Sequence, residues 1–233
     1  MGAFKENILK FPDSTLYGKE VPKTVFIKQV KDHKESFRKF MTDEFESITW
    51  LYKLHSSTLN VLDSSPLDEI DVFYCQMKRD FYSINPFCGL DRLIHHRTMF
   101  IIKYGESIDI LMHHKEAVKV KGVTQWNMGT TELSRNVDMG ALDIKLDGNT
   151  MDLVYNSLLG QISGLKTRSI VDYKTASEIR AKIKALDKKI DSLNNKIRAE
   201  KQFNIQIELR AFLKEAETER EKLNLELQHI AEG

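Results

Sequence analysis

Toward the end of the chain, apolar side chains recur at Ile179, Ile183, Leu186, Ile190, Leu193 and Ile197, in alternating steps of four and three. This rhythm is a heptad seam on one helix face, with Ile at the a-type and mostly Leu at the d-type positions. A second, less regular run follows at Ile205, Leu209, Phe212, Ala216, Leu223, Leu227 and Ile230, interrupted where the seam passes Glu219. Residues 174–232 contain neither proline nor glycine, so nothing in the backbone breaks a helix there. A seam this narrow needs a second helix to shield it from water. The phase break between Ile197 and Ile205 predicts the tip of a helical hairpin over residues 198–204, with Phe203 as its lone aromatic. Charge agrees with a fold-back. Residues 174–201 hold nine basic and four acidic side chains, whereas residues 202–233 hold four and seven. The competing reading is one unbroken helix covered by a second chain.

Upstream, the periodicity predicts an α+β body over residues 1–170, followed by the hairpin over residues 171–233. Residues 1–31 read as an irregular arm, punctuated by Pro12 and Pro22, that ends in a strand over residues 24–30. A helix is expected from residue 34 to 55, with Phe37, Met41, Phe45, Ile48 and Tyr52 on its inner face. Residues 58–62 suggest a short strand. The nearly apolar run over residues 70–77 reads as a central strand. A short helix over 90–96 leads into a hairpin of strands, 99–104 and 107–113, turning at Gly105-Glu106. One or two more strands fit residues 118–126, while residues 127–146 carry no clear period. Asn149 or Thr150 then caps a helix presenting Met151, Val154, Leu158, Ile162 and Leu165 on one face, and residues 166–173 connect it to the seam. The expected body is a small, mostly antiparallel sheet with helices on one side.

Composition narrows the function classes. The chain has 233 residues, 41% hydrophobic and 30% charged, with a formal net charge of +1. Neither part is strongly basic, so bulk electrostatic capture of nucleic acid is not supported. Two cysteines, Cys75 and Cys88, make neither a disulfide framework nor a metal knuckle. The N-terminus lacks an apolar signal core and no run approaches membrane-spanning length, which points to a cytoplasmic protein without a membrane partner.

The order of Lys-Phe-Pro at 10–12, Val-Pro-Lys at 21–23, Ile-Thr-Trp-Leu-Tyr-Lys-Leu at 48–54, Thr-Leu-Asn at 58–60 and Glu-Ile-Asp-Val-Phe at 69–73 is distinctive. With Lys-Ile-Arg-Ala-Glu-Lys-Gln-Phe-Asn at 196–204, it resembles a bacterial and archaeal family, the domain of unknown function 4391. The resemblance implies an accessory role beside DNA methyltransferases and helicases in restriction-modification or antiviral defence clusters. It carries no active site to transfer.

Catalytic motifs are weak. Glu69 and Asp71, with Gln76-x-Lys78 on the same run, resemble the carboxylate strand of restriction-type nucleases, where acids and a lysine converge on Mg²⁺. The Asp-to-Gln gap is short, and Gln stands where that motif has Glu. The bland reading is a central strand whose Asp71 pairs with a basic group. His95-His96 and His113-His114 are candidate ligands, but strand neighbours face opposite ways, so at most one of each pair can join a common site. The ordinary expectation is solvent-facing histidines. No phosphate loop, nucleophile elbow or dinucleotide fingerprint is present, so no cofactor and no metal are expected.

The sequence therefore favours a non-catalytic interaction subunit whose seam binds a protein partner: a methyltransferase or helicase subunit, or a second copy. The residues assigned to that contact are Ile179, Ile183, Leu186, Ile190, Leu193, Ile197, Phe203, Leu209, Phe212, Leu223 and Leu227. Nucleic acid would be met only indirectly. The alternative is a Mg²⁺-dependent nuclease centred on Asp71.

Overall fold

The structure, a computed structural model, describes residues 7–62, 69–120, 123–138, 140–164 and 170–232. Six strands form one sheet in chain order: β1 (Leu16–Glu20), β2 (Phe45–His55), β3 (Glu69–Met77), β4 (Arg97–Tyr104), β5 (Ser107–Val120) and β6 (Val123–Ser134). Every neighbouring pair is antiparallel except β3 and β4, which run parallel. The sheet is thus mixed, and the fold is α+β. A parallel pair needs a crossover, here supplied by the helix α4 (Asn85–Leu93).

The apolar run of β3 occupies the middle of the sheet, between β2 and β4. Its two faces are both buried: Phe73, Cys75 and Met77 on one side, Ile70 and Val72 on the other. The hairpin of β4 and β5 turns at Gly105-Glu106, with Tyr104 opposite Ser107. Gly105 adopts φ +48°, and a Cβ there would lie 2.9 Å from Asp80 Oδ1, so the turn favours glycine. Thr150 caps the helix α5 (Met151–Ile162), its hydroxyl accepting from Leu153 N–H at 3.3 Å. Leu165 and residues 166–169 lie outside the described residues, and residues 170–173 belong to the next helix rather than to a linker.

Three expectations fail, each for a physical reason. The helix expected over residues 34–55 stops at Asp43: α2 (Lys34–Asp43) is followed by the eleven-residue strand β2. Irregularities in the β2–β3 register between Phe45 and Ser47 and between Trp50 and Tyr52 break the two-residue alternation. Buried apolar positions therefore fall at 45, 48, 51, 52 and 54, a spacing that mimics a helix. The strand expected over residues 24–30 is instead the helix α1 (Lys23–Gln29), started by Pro22, whose φ of −61° suits a helix entry. The segment expected as a strand at 58–62 begins as the helical turn α3 (Ser56–Leu59), and only Leu62 makes a bridge, to Thr150.

Helices do not sit on one side alone. Phe26, Phe40, Met41, Phe87 and Leu90 from α1, α2 and α4 pack on Phe45, Ile48, Phe73, Phe100 and Leu111 of the sheet. On the opposite parity Val72, Met99, Ile101, Ile110 and Met112 are buried as well. Phe87 is the hub of the first cluster, with ring centroids 6.0, 5.4, 5.7 and 5.3 Å from Phe40, Phe45, Tyr82 and Phe100.

Two compact units are present, Met1–Gly164 and Leu165–Gly233. The second is a helical hairpin of α6 (Ile170–Ala199) and α7 (Phe203–Glu232). Residues 200–202 turn the chain: the Glu200 carboxylate accepts from the N–H groups of Lys201 and Gln202, both at 2.8 Å, and Gln206 Nε2 donates to Glu200 O at 2.7 Å. Leu186 and Ile190 pack on Leu213, Ala216 and Leu223. Arg220 donates to Asp187 across the seam at 3.2 Å, taking the place where an apolar residue was missing beside Glu219. Leu213, not Phe212, fills the seam position; Phe212 is 53% exposed. Among the described residues, no helix is long and apolar enough to cross a membrane.

Replacing Phe87 by Ala empties the centre of this aromatic cluster and should lower unfolding free energy by about 3–5 kcal/mol, read from urea or guanidinium midpoints. An effect within about 1 kcal/mol would show that the cluster is not the core of the body.

Candidate functional site

Three buried carboxylates near the sheet illustrate how such groups are satisfied. Asp91, at the end of α4, is fully buried; its Oδ1 accepts from Lys115 Nζ at 2.9 Å and its Oδ2 from His113 Nδ1 at 2.9 Å. Asp109 accepts from Tyr82 and Tyr104 hydroxyls at 2.6 and 3.0 Å and from Asn136 N–H at 2.9 Å. Both of these carboxylates have a donor on each oxygen. Asp71 does not: its Oδ2 accepts from His96 Nδ1 at 3.1 Å, while its Oδ1 is buried with no hydrogen-bond partner.

Asp71 and Glu69 share one face of β3 because they are two residues apart. His96 arrives from the turn between α4 and β4, since the parallel register sets Ile70 opposite Arg97 and Asp71 opposite Thr98. One ligand atom from each of Glu69, Asp71 and His96 lies within 4.8 Å of the others. His96 Nδ1 is 3.4 Å from Glu69 Oε1, but its single proton goes to Asp71, and Glu69 Oε1 is likewise buried without a partner. The other Glu69 oxygen pairs with Lys53 Nζ of β2 at 2.8 Å. The antiparallel register of β2 and β3 sets His55 opposite Glu69 and Lys53 opposite Asp71.

Burial raises the Asp71 carboxyl to about 6; the His96 hydrogen bond opposes this, and the neighbouring Glu69 adds to it. His96 is raised by its hydrogen bond to Asp71, against its partial burial. Lys53 faces the outer Glu69 oxygen and His96 one Asp71 oxygen, which leaves one buried oxygen of each acid without a hydrogen-bond donor. The arrangement can therefore hold a positive centre.

The turn carrying His96 is fastened by Lys115. This fully buried ammonium donates to the carbonyls of Asp91, Ile94 and His96 at 2.8, 2.7 and 2.6 Å, besides the Asp91 carboxylate. Three N–H groups are thus shared among four acceptors. The Trp126 ring lies 5.1 Å from the ammonium, and Trp126 Nε1 donates to His95 O at 3.0 Å. Burial lowers the Lys115 pKa, partly offset by Asp91.

The sequence-derived sites fare unevenly. Glu69 and Asp71 come together, but Lys78 follows the far end of β3, seven residues or roughly 23 Å from Asp71; its ammonium donates to Thr42 O at 2.7 Å. The nuclease arrangement of two acids and that lysine does not converge. His113 is buried and His96 half-buried, each meeting a carboxylate, while His95 is exposed and His114 is half-buried. His96 and His113 do not share a site, since one meets Asp71 and the other Asp91, and His95-His96 lies in a turn where strand parity does not apply; Asp91, Lys115 and Lys53 carried no local signal. On the hairpin, Ile179, Leu186, Ile190 and Leu193 are buried, and Ile183, Ile197, Leu209, Leu223 and Leu227 are half-buried. The return arm covers the seam at Leu186 and Ile190, and the half-buried positions keep part of their surface exposed.

A family model described as Domain of unknown function (DUF4391) matches residues 9–219 of the chain. No curated protein and no solved structure matches it.

Lys115→Met removes the ammonium and leaves Asp91 buried with a charge. Such a break should destabilise the body by about 3–5 kcal/mol. Lys115→Met combined with Asp91→Asn should recover part of that loss, giving a non-additive double-mutant cycle in urea unfolding. Additive losses would mean that the two groups do not depend on each other.

Proposed function

The protein belongs to the DUF4391 family, and from that premise we propose that it is a non-catalytic accessory subunit of a bacterial DNA-modification, restriction or defence assembly, built as a dimer through its hairpin. The observation that carries this reading is a row of large apolar side chains left outside the seam on α7. Phe203 is 71%, Ile207 52% and Leu225 54% exposed. At 100° per residue Ile207 and Leu225 fall on the same line of the helix and Phe203 lies about 40° away. Beside them runs a shallow groove lined by Ala211, Lys214, Glu215, Thr218, Glu219 and Lys222, whose surface comes mostly from apolar atoms.

A second copy is the occupant that the charges favour. On one flank of this side Arg210 and Lys214 lie toward the hairpin tip and Glu217 and Glu221 toward the other end, while the opposite flank carries Glu215 and Lys222 in the reverse order. Two α7 helices packed antiparallel about Lys214 set Phe203 of one against Leu225 of the other. The same pairing brings Arg210 beside Glu217 and Glu221 of the second copy. An isologous two-fold contact needs this kind of self-complementarity; a parallel pairing would align every charge with its like, whereas the antiparallel one does so only for Lys214 at the axis. The neighbourhood of methyltransferases and helicases implied by the resemblance supplies the wider setting, with the body left to dock such a component.

Sedimentation equilibrium or light scattering should find dimers of the full chain at tens of micromolar. Ile207→Glu with Leu225→Glu, both on the outer side and away from the seam, should give folded monomers. A monomeric wild-type chain, or a double variant that stays dimeric, overturns the self-assembly.

A further inference from the structure

Independently of that reading, we propose that Glu69, Asp71 and His96 form a site for one divalent transition-metal ion of the Mn²⁺ or Zn²⁺ type. The geometry comes first. With bonds of about 2.1 Å, two ligands of an octahedral ion lie about 3.0 Å apart and two ligands of a tetrahedral ion about 3.4 Å apart. His96 Nδ1 lies 3.1 Å from Asp71 Oδ2 and 3.4 Å from Glu69 Oε1. A single ion in front of the imidazole nitrogen therefore reaches both acids without rearranging the backbone.

The second observation is the pair of orphaned oxygens. Asp71 is 3% and Glu69 8% exposed, yet Asp71 Oδ1 and Glu69 Oε1 have no hydrogen-bond partner. Buried carboxylate oxygens are normally satisfied, and Asp91 and Asp109 in this molecule are. A cation facing the triad would satisfy Glu69 Oε1 directly, and Asp71 Oδ1 as well when that carboxylate ligates through both of its oxygens. The surrounding groups hold the ligands for it. Lys53 grips the outer Glu69 oxygen at 2.8 Å, which turns Oε1 inward. Lys115 and the Thr98 hydroxyl anchor the His96 carbonyl at 2.6 and 3.2 Å. Such outer contacts fix the orientation of ligands around a metal.

Ligand chemistry selects the ion. One imidazole nitrogen with two carboxylates suits Mn²⁺, Fe²⁺ or Zn²⁺; Ca²⁺ and Mg²⁺ prefer all-oxygen shells. His96 is half-exposed, which leaves a side of the site open for water or for a substrate oxygen.

The test is direct binding to the full-length, metal-stripped chain at pH 7.5, with MnCl₂ and ZnCl₂ as probes and MgCl₂ and CaCl₂ as comparisons. Calorimetry should show one Mn²⁺ or Zn²⁺ per chain, bound at least about tenfold more tightly than Mg²⁺. Asp71→Asn and His96→Gln should each weaken binding more than the roughly 10–100-fold typical of losing an outer-shell contact. Circular dichroism of both variants separates lost ligation from lost folding. For a variant that does not fold, the Mn²⁺ electron paramagnetic resonance spectrum of the wild type gives an independent reading, because nitrogen coupling from one imidazole is expected. If the wild-type chain takes up neither Mn²⁺ nor Zn²⁺ below millimolar concentration, the cluster holds a shared proton instead and the proposal falls. Equal binding by wild type and both variants overturns it as well.

Discussion

A lysine ammonium with no access to water holds the centre of the body together. Lys115 is drawn from β5 into the space under the end of α4, where the Asp91 carboxylate and three carbonyl oxygens receive it. Burying an unpaired ammonium would cost several kcal/mol, so the pocket has to be assembled before the fold can tolerate it. Asp91 is anchored from its other side by His113 of the same strand, and Tyr155 of α5 donates its hydroxyl to the His113 carbonyl at 2.7 Å. One polar knot thereby ties the crossover helix, an edge-side strand and α5. The turn that delivers His96 is a direct product of this knot, because two of the four acceptors of Lys115 are the carbonyls of Ile94 and His96.

Around that knot the parallel pairing of β3 and β4 decides what meets what. Had β4 run antiparallel to β3, the start of β4 would lie at the opposite end of β3 from Glu69 and Asp71. The crossover through α4 instead returns the chain to the end of β3 that holds the two acids. Lys78 is held away from them by β3 itself, since a strand keeps residues seven apart far from each other. The convergence of an imidazole with two acids is therefore a result of topology, and the absence of the lysine from that cluster follows from the extended strand.

The hairpin follows a simpler logic. Its seam is apolar and narrow, its two arms have opposite net charge, and a three-residue turn lets one arm cover the other. Arg220 and Asp187 complete the seam where α7 lacks an apolar residue. Among the described residues, the large apolar groups left outside the packed arms of the hairpin are Phe203, Ile207 and Leu225 along one side of α7 and Phe212 on another. Three exposed apolar side chains of this size along one side of a helix form the kind of patch that marks an interaction surface.

Much of the architecture was legible without coordinates. The heptad rhythm of α6, the apolar run of β3, the Gly105-Glu106 turn and the Thr150 cap all rest on contacts between residues near one another in the chain, so their side-chain pattern carries the answer. β2 was misread because two register irregularities stretched its buried positions to helix-like spacing; only pairing with β3 reveals them. The same limit applies to the site. Glu69 and Asp71 were visible as two acids on one strand face, and the histidine pairs were visible as candidate ligands. Which histidine meets which acid depends on a crossover and on a lysine some twenty to forty residues distant, and no local period encodes that distance. The chain's own pattern determined the elements with short-range signals. Tertiary packing alone decided the partners of its buried charges, because a charge is satisfied by whatever the fold brings within hydrogen-bonding reach.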